Sequence, residues 1–142
     1  MQVSLTIAGW QATDAAMTMT LLHVALGGAI GASARYLTSV AALRLIGPGF
    51  PWATLFVNAA GSFLMGVIVV LLAREGGTKA AAPFLMTGLL GGFTTFSAFS
   101  LDAMALYERG QVTLAGAYVL GSVILSLAAI VLGMALVRLV SA

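Results

Sequence analysis

The groups able to do chemistry in this chain are few, and their spacing is orderly. Thr54, Asn58 and Ser62 recur at i, i+4 and i+8, so a helix through them carries all three on one face. Tyr118, Ser122 and Ser126 repeat that spacing later in the chain, and Phe96 and Phe99 stand at i, i+3 with Thr95, Ser97 and Ser100 interleaved. Any single hydroxyl of this kind has a bland reading, in which it bonds the carbonyl four residues back or glues two helices together. Asn58 does not, because an amide in hydrocarbon must find partners or lose several kcal/mol, on the order of the cost of an unbonded amide. Three aligned polar groups on each of two helices read as a narrow wet track.

Arg35 and Asp102 are the ionisable residues well inside apolar stretches, where such a group is a functional candidate by default. Arg35 has a second reading, a long side chain snorkelling to the interface. Asp102 suits a position near a pore mouth, and His23 is given no role. With one His, no Cys and four acids that do not cluster, the chain offers no catalytic triad, side-chain metal site or acid/base pair, and no phosphate-binding loop follows a strand. It does not read as an enzyme.

The elements that must hold these groups are membrane helices. Of 142 residues 61% are hydrophobic and 7% charged, far from the roughly 25% charge of a soluble domain. Six basic residues against four acidic give a net +2, too little for nucleic-acid binding. Four apolar segments of spanning length follow in order, at about 21–46, 52–73, 80–107 and 112–137, so the expected fold class is an all-α membrane protein with four transmembrane helices. Prolines and glycines at Gly47-Pro48-Gly49-Phe50-Pro51 separate the first two, and Arg74 to Lys79 and Glu108 to Gln111 close the second and third. Residues 1–20 lack the basic start of a signal peptide. They read as a leader, disordered or an over-extended start, with Met17 or Met19 able to begin the chain; a protein starting at Met17 is expected to fold and work.

The third segment is too long for one straight span. As a continuous helix its 28 residues would reach about 42 Å against a hydrocarbon core of roughly 30 Å. Gly91-Gly92-Phe93-Thr94-Thr95 in its middle is the weakest helical stretch of the chain. One reading is a break at membrane depth, whose freed carbonyls protein or a bound cation must satisfy. The other is an unbroken helix in which Gly88 and Gly92 form a close-packing face, as Gly27 and Gly31 do on the first helix.

The loop charges nearly balance. Arg74, Lys79 and Arg138 fall on one side of the membrane, with Arg44, Arg109 and, if it snorkels that way, Arg35 on the other. Since Lys/Arg asymmetry sets orientation, the balance favours insertion both ways round, and hence an antiparallel homodimer in which two copies supply an inverted repeat.

Three stretches resemble a known family: Gly28-Ala29-Ile30-Gly31-Ala32 with Arg35-Tyr36; Thr54-Leu55-Phe56-Val57-Asn58 with Gly61-Ser62; and Gly91 through Ser100, the most specific of the three. In order and spacing, over about residues 21–140, they are similar to the CrcB/Fluc fluoride channels. That resemblance implies a dual-topology homodimer in the inner (plasma) membrane, with two antiparallel pores that export fluoride passively and a central structural sodium ion. It further implies that the carbonyls of Gly91 and Thr94 from both copies hold the sodium. Phe96 and Phe99 match the pore phenylalanines, Asn58 the pore amide, and Tyr118, Ser122 and Ser126 the pore positions of the fourth helix. Arg35 matches an arginine near the vestibule, where Asp102 is also expected. Two positions depart from the family's pattern: Ala98 replaces a Thr, and Asp102 stands where Glu is common.

Physical chemistry makes such a filter intelligible. Aromatic rings have positive edges, so Phe96 and Phe99 present C–H edges to a small anion without the deep well of a cationic side chain. Asn58 and the hydroxyls donate conventional hydrogen bonds, and several moderate sites in series let the ion leave. Two rivals stand beside this reading. A small multidrug exporter needs a buried acid in the first helix, which Leu21 to Ile46 lacks; a non-conducting scaffold would explain the glycines but not the polar stripes.

Overall fold

A computed structural model describes residues 2–74 and 81–140, helices joined by short non-helical links. The first helix, α1 (Gln2–Leu45), is followed by α2 (Trp52–Arg74), then by a π-helical run over Pro83–Leu90 that passes into a single turn, α3 (Gly91–Phe93). After Thr94 and Thr95 come α4 (Phe96–Glu108) and α5 (Val112–Val140). Four stretches are long and apolar enough to cross a membrane: Asp14–Leu45, Trp52–Ala73, Pro83–Glu108 and Val112–Val140. The polar run Glu75 to Lys79, counted in the loop-charge balance, lies outside the described residues, as does Ala80.

The ends of the helices follow the local chemistry. At the end of α1 the Gly47 N–H reaches back to the Ala42 carbonyl at 3.3 Å, with Gly47 at φ 92° and Gly49 at φ 130°. Those left-handed values favour glycine, and Pro51 then opens α2. At the end of α4 the Gly110 N–H bonds the Tyr107 carbonyl and the Gln111 N–H bonds that of Leu106, with Gly110 at φ 76°. This paired closure is the Schellman pattern, which a glycine just past the helix makes possible. Upstream, α1 begins at Gln2 rather than at the expected boundary near Leu21. No proline and one glycine, Gly9, stand in that stretch, so nothing in it stops the helix from propagating.

Two glycine seams set the packing. Along α1, a Cβ on Gly27 would meet the Leu89 amide nitrogen at 2.8 Å and one on Gly31 the Phe93 nitrogen at 2.8 Å. From the other side, a Cβ on Gly88 would lie 3.0 Å from Gly27 Cα, and one on Gly92 2.6 Å from the Gly28 carbonyl. Backbone thus lies on backbone where α1 crosses the π-helical run. The Gly88 and Gly92 packing face expected from sequence is present; the π-helical register was not foreseen, because it depends on this tertiary contact rather than on local propensity. The second seam joins α2 to α5, where added Cβ atoms on Gly66 and Gly133 would collide with the carbonyls of Ile130 and Phe63.

The core is small. Phe99, Leu106, Ala115 and Tyr118 form a buried cluster, with Phe50, Leu55, Ala103 and Val119 packed against it. Outside it, large apolar side chains such as Leu26, Leu101, Leu120 and Leu132 are exposed. Helices that turn Leu and Val outward are built for lipid or for another apolar surface.

Candidate functional site

Helical geometry stops at Phe93 and resumes at Phe96. Between them the backbone is extended, with Thr94 at φ −84°, ψ 160° and Thr95 at φ −157°, ψ 125°. Asn58, in the second turn of α2, faces this interruption. Its Nδ2 donates to the Thr95 carbonyl at 3.0 Å, and the Thr95 N–H donates to its Oδ1 at 2.8 Å. The amide therefore treats Thr95 as a neighbouring strand would, satisfying both backbone groups of one extended residue. One side-chain N–H of Asn58 remains beyond this pair.

The interruption redirects donors that an α-helix would use internally. In an unbroken helix the Thr95 N–H would bond the Gly91 carbonyl, and the Ala98 N–H that of Thr94. Here the first goes to Asn58, and the Ala98 N–H goes to the Thr95 side chain at 3.2 Å, which caps α4. Gly91 and Thr94 each thereby lose their regular donor one turn on. Neighbouring Gly92 is different, since its carbonyl accepts from Arg35 Nε at 3.1 Å. Arg35 thus reaches from α1 to the end of α3, where a cation suits the terminal carbonyls. Its hydrogen bond to mid-segment backbone was not legible in the sequence, which offered a snorkel or a vestibule.

Beyond Thr95 the aromatic residues stack. The rings of Phe96 and Phe99 lie 5.3 Å apart, and those of Phe99 and Tyr118 5.4 Å apart. Phe99 is buried, whereas Phe96 is 79% exposed. Next to them lies a groove of about 520 Å³ between α2, α4 and α5. Asn58, Ser62, Gly91, Thr94, Phe96 and Ser126 are among its walls, as are Phe99 and Ser122. Two members of each polar stripe, Asn58 and Ser62 with Ser122 and Ser126, therefore face one space, and the interrupted backbone opens onto it. Ser122 is 4% exposed, and its Oγ makes no hydrogen bond of standard geometry among the described residues. Its polar neighbour is the Tyr118 hydroxyl. The bland reading holds elsewhere: Thr38, Ser39, Thr94 and Ser100 bond carbonyls four residues back.

Tyr118 lines the far side of the stack and not the groove itself. Its hydroxyl donates to Asp102 Oδ2 at 3.4 Å, and the Thr54 hydroxyl donates to the same oxygen at 2.6 Å. Thr54 belongs to a stripe noticed in the sequence, but its partner was not foreseen, because nothing in local spacing brings α2 to α4. Among the described residues no group of three or more His, Cys, Asp or Glu could hold a metal. Backbone carbonyls at Gly91 and Thr94 are the oxygen donors that a hard cation would find near the groove.

Four apolar helices of spanning length, with an uncharged groove beside an interrupted helix, define a multi-pass membrane protein. The family profile of CrcB-like protein, Camphor Resistance (CrcB), matches residues 22–134. The chain belongs to that family. A relative from Cereibacter sphaeroides, named Fluoride-specific ion channel FluC, is 67% identical over 122 residues, covering 86% of this chain and 97% of the relative. Proteins of the same name from Paracoccus denitrificans and Mesorhizobium japonicum are 57% and 52% identical, each over more than four-fifths of this chain and nine-tenths of the relative.

Proposed function

We infer that this protein is a fluoride-specific channel of the plasma membrane, carrying fluoride out of the cytoplasm down its electrochemical gradient. Relatives of that name at up to 67% identity support the ion, and one structural observation carries the route. The Asn58–Thr95 pairing holds the backbone open beside Phe96 and Phe99, and the same groove receives the hydroxyls of Ser62, Ser122 and Ser126. Fluoride moves along this wall, taking hydrogen bonds from the free Asn58 N–H and the serines and weaker contacts from the ring edges of Phe96 and Phe99. Tyr118 stands beyond Phe99 with Asp102 on its hydroxyl, and Arg35 lies beside the interruption on the Gly92 carbonyl. The absence of a cationic side chain in the groove wall keeps each site shallow, which suits conduction.

In this reading the working unit is an antiparallel homodimer of dual topology, and the interruption is the mid-membrane break of the third span. The exposure of the Phe96 ring and the open groove support a second, inverted copy that completes each pore. A structural sodium ion at the centre is held by the Gly91 and Thr94 carbonyls of both copies, whose regular helical donors are engaged elsewhere. It supplies fixed positive charge that favours an anion nearby.

The test is fluoride efflux from liposomes holding the purified protein, followed with a fluoride electrode under a set membrane potential. Passive, electrically driven flux with chloride excluded is expected. Absence of flux indicates a scaffold, and strict coupling to protons indicates a carrier.

A further inference from the structure

The ring stack does not end at Tyr118. Phe50, from the turn between α1 and α2, meets Tyr118 edge to face, with centroids 5.5 Å apart and planes at 89°, and Trp52 packs on Phe50 at 4.5 Å. Behind this contact lies a second cavity, of about 160 Å³, lined by Gly49, Phe50, Pro51, Asp102, Leu106 and Arg109 among others. It shares no lining residue with the groove, and a relay of side-chain contacts links the two. Phe99 lines the groove and stacks on Tyr118; Tyr118 bonds Asp102; Asp102 lines the second cavity. The cavity sits where α4 ends and where the turn after α1 folds over, the position of a mouth rather than a core void.

Charge is the difficulty at such a mouth. Asp102 presents a carboxylate whose Oδ2 is already held by Thr54 and Tyr118, and an anion passing it is repelled. Arg109 lies on the same face of α4, two turns further on, and lines the same cavity. Its neighbour Glu108 is not among the residues lining it. We propose that this cavity is an anion vestibule at one mouth of the track, in which Arg109 draws in fluoride and offsets Asp102. Phe50 forms its outer wall against Tyr118. The inference rests on the channel reading and adds a residue to it; Arg109 is a positioning residue for the anion's approach and not part of the filter. A cation at the C-terminus of α4 has another use, favourable interaction with the helix dipole, so the experiment must separate the two.

Fluoride efflux is measured on the full-length protein in liposomes of neutral lipid, for wild type, Arg109→Gln and Arg109→Lys, at low and high ionic strength. Arg109→Gln is expected to slow efflux roughly three- to tenfold at low salt, the gap shrinking to less than about twofold at high salt, as for a steering charge. Arg109→Lys should stay near wild type. Because the chain has no native Cys, Arg109→Cys offers a test within one folded preparation. Attaching an aminoethyl group through a disulfide should restore the flux, and a neutral methyl group should not. Equal efflux in Arg109→Gln and wild type at low salt, a loss unchanged by salt, or equal effects of the two thiol reagents overturns the vestibule. No fluoride flux in wild type overturns instead the channel reading beneath it.

Discussion

The two halves of the third span are held in opposite ways. Its first half lies against α1 through glycines, backbone to backbone, with Arg35 at the end of the seam. Its second half, α4, faces α2 and α5 through rings, hydroxyls and one amide, leaving space. The first arrangement tolerates no added atom, so it fixes position. The second leaves a groove with donors and ring edges on its walls, which the proposed ion path uses. The interruption at Thr94 and Thr95 is the joint between them, and substitutions on either side should fail in different ways.

The largest effect is expected in the seam. Gly31→Leu places a branched side chain where even a Cβ collides with the Leu89 carbonyl, and the neighbour is backbone that cannot rotate aside. Overpacking of about 1–3 kcal/mol for one extra methylene in a tight core is a lower bound here. The expected outcome is loss of monodisperse protein on gel filtration in detergent, before any question of flux arises. Gly28→Ala, at a position with open space around it, is the matched control and should leave the elution profile unchanged.

Next comes the buried ring of the open half. Phe99→Ala removes a side chain only 9% exposed from the cluster with Leu106 and Tyr118. It should destabilise the fold by about 3–5 kcal/mol, as large-to-small core changes do, read as a lowered midpoint in thermal aggregation. Flux should fall as well, so Phe99 alone cannot separate stability from conduction.

Asn58→Leu should cost less than Phe99→Ala, yet still measurably, because it leaves the N–H and the carbonyl of Thr95 unpaired, at about 1–3 kcal/mol for each group that finds no other partner. Asn58→Asp keeps an acceptor for the Thr95 N–H but removes the donor and adds a negative charge beside the groove. A folded protein with fluoride efflux reduced by more than about tenfold is expected for the aspartate variant. Wild-type efflux there would remove Asn58 from the ion's path and leave it a purely structural splint.

These contrasts mark what was legible in the sequence. The four spans, the turns at Gly47 to Pro51 and Glu108 to Gln111, and the glycine faces follow from composition and from rules that act within a few residues. The stripe of Thr54, Asn58 and Ser62 was also visible, since helical spacing alone puts the three on one face. What those residues touch was not. Asn58 meets Thr95 across 37 positions and Thr54 meets Asp102 across 48, distances over which spacing in one segment carries no information. The π-helical register before Gly91 and the reach of Arg35 to Gly92 likewise depend on where α1 comes to rest. By local rules Phe50 reads only as part of a turn, although an aromatic residue between two prolines in a loop signals something to pack against.

The smallest effect on the fold, and the sharpest test of the contrast, belongs to Phe96. Its ring is 79% exposed in the single chain, so Phe96→Ile should change the stability of the subunit by no more than about 0.5 kcal/mol, as surface substitutions do. If Phe96 merely faces lipid, isoleucine serves as well and efflux is unchanged. If it presents a ring edge to fluoride in a pore completed by a second copy, the aliphatic side chain lacks the positive rim that an anion needs. Efflux should then fall sharply in a protein whose elution and thermal midpoint match wild type. Phe99→Ile, tested in parallel, should lose stability and flux together. The pair thus asks whether two rings 5.3 Å apart divide the work, the buried one positioning the stack and the exposed one meeting the ion.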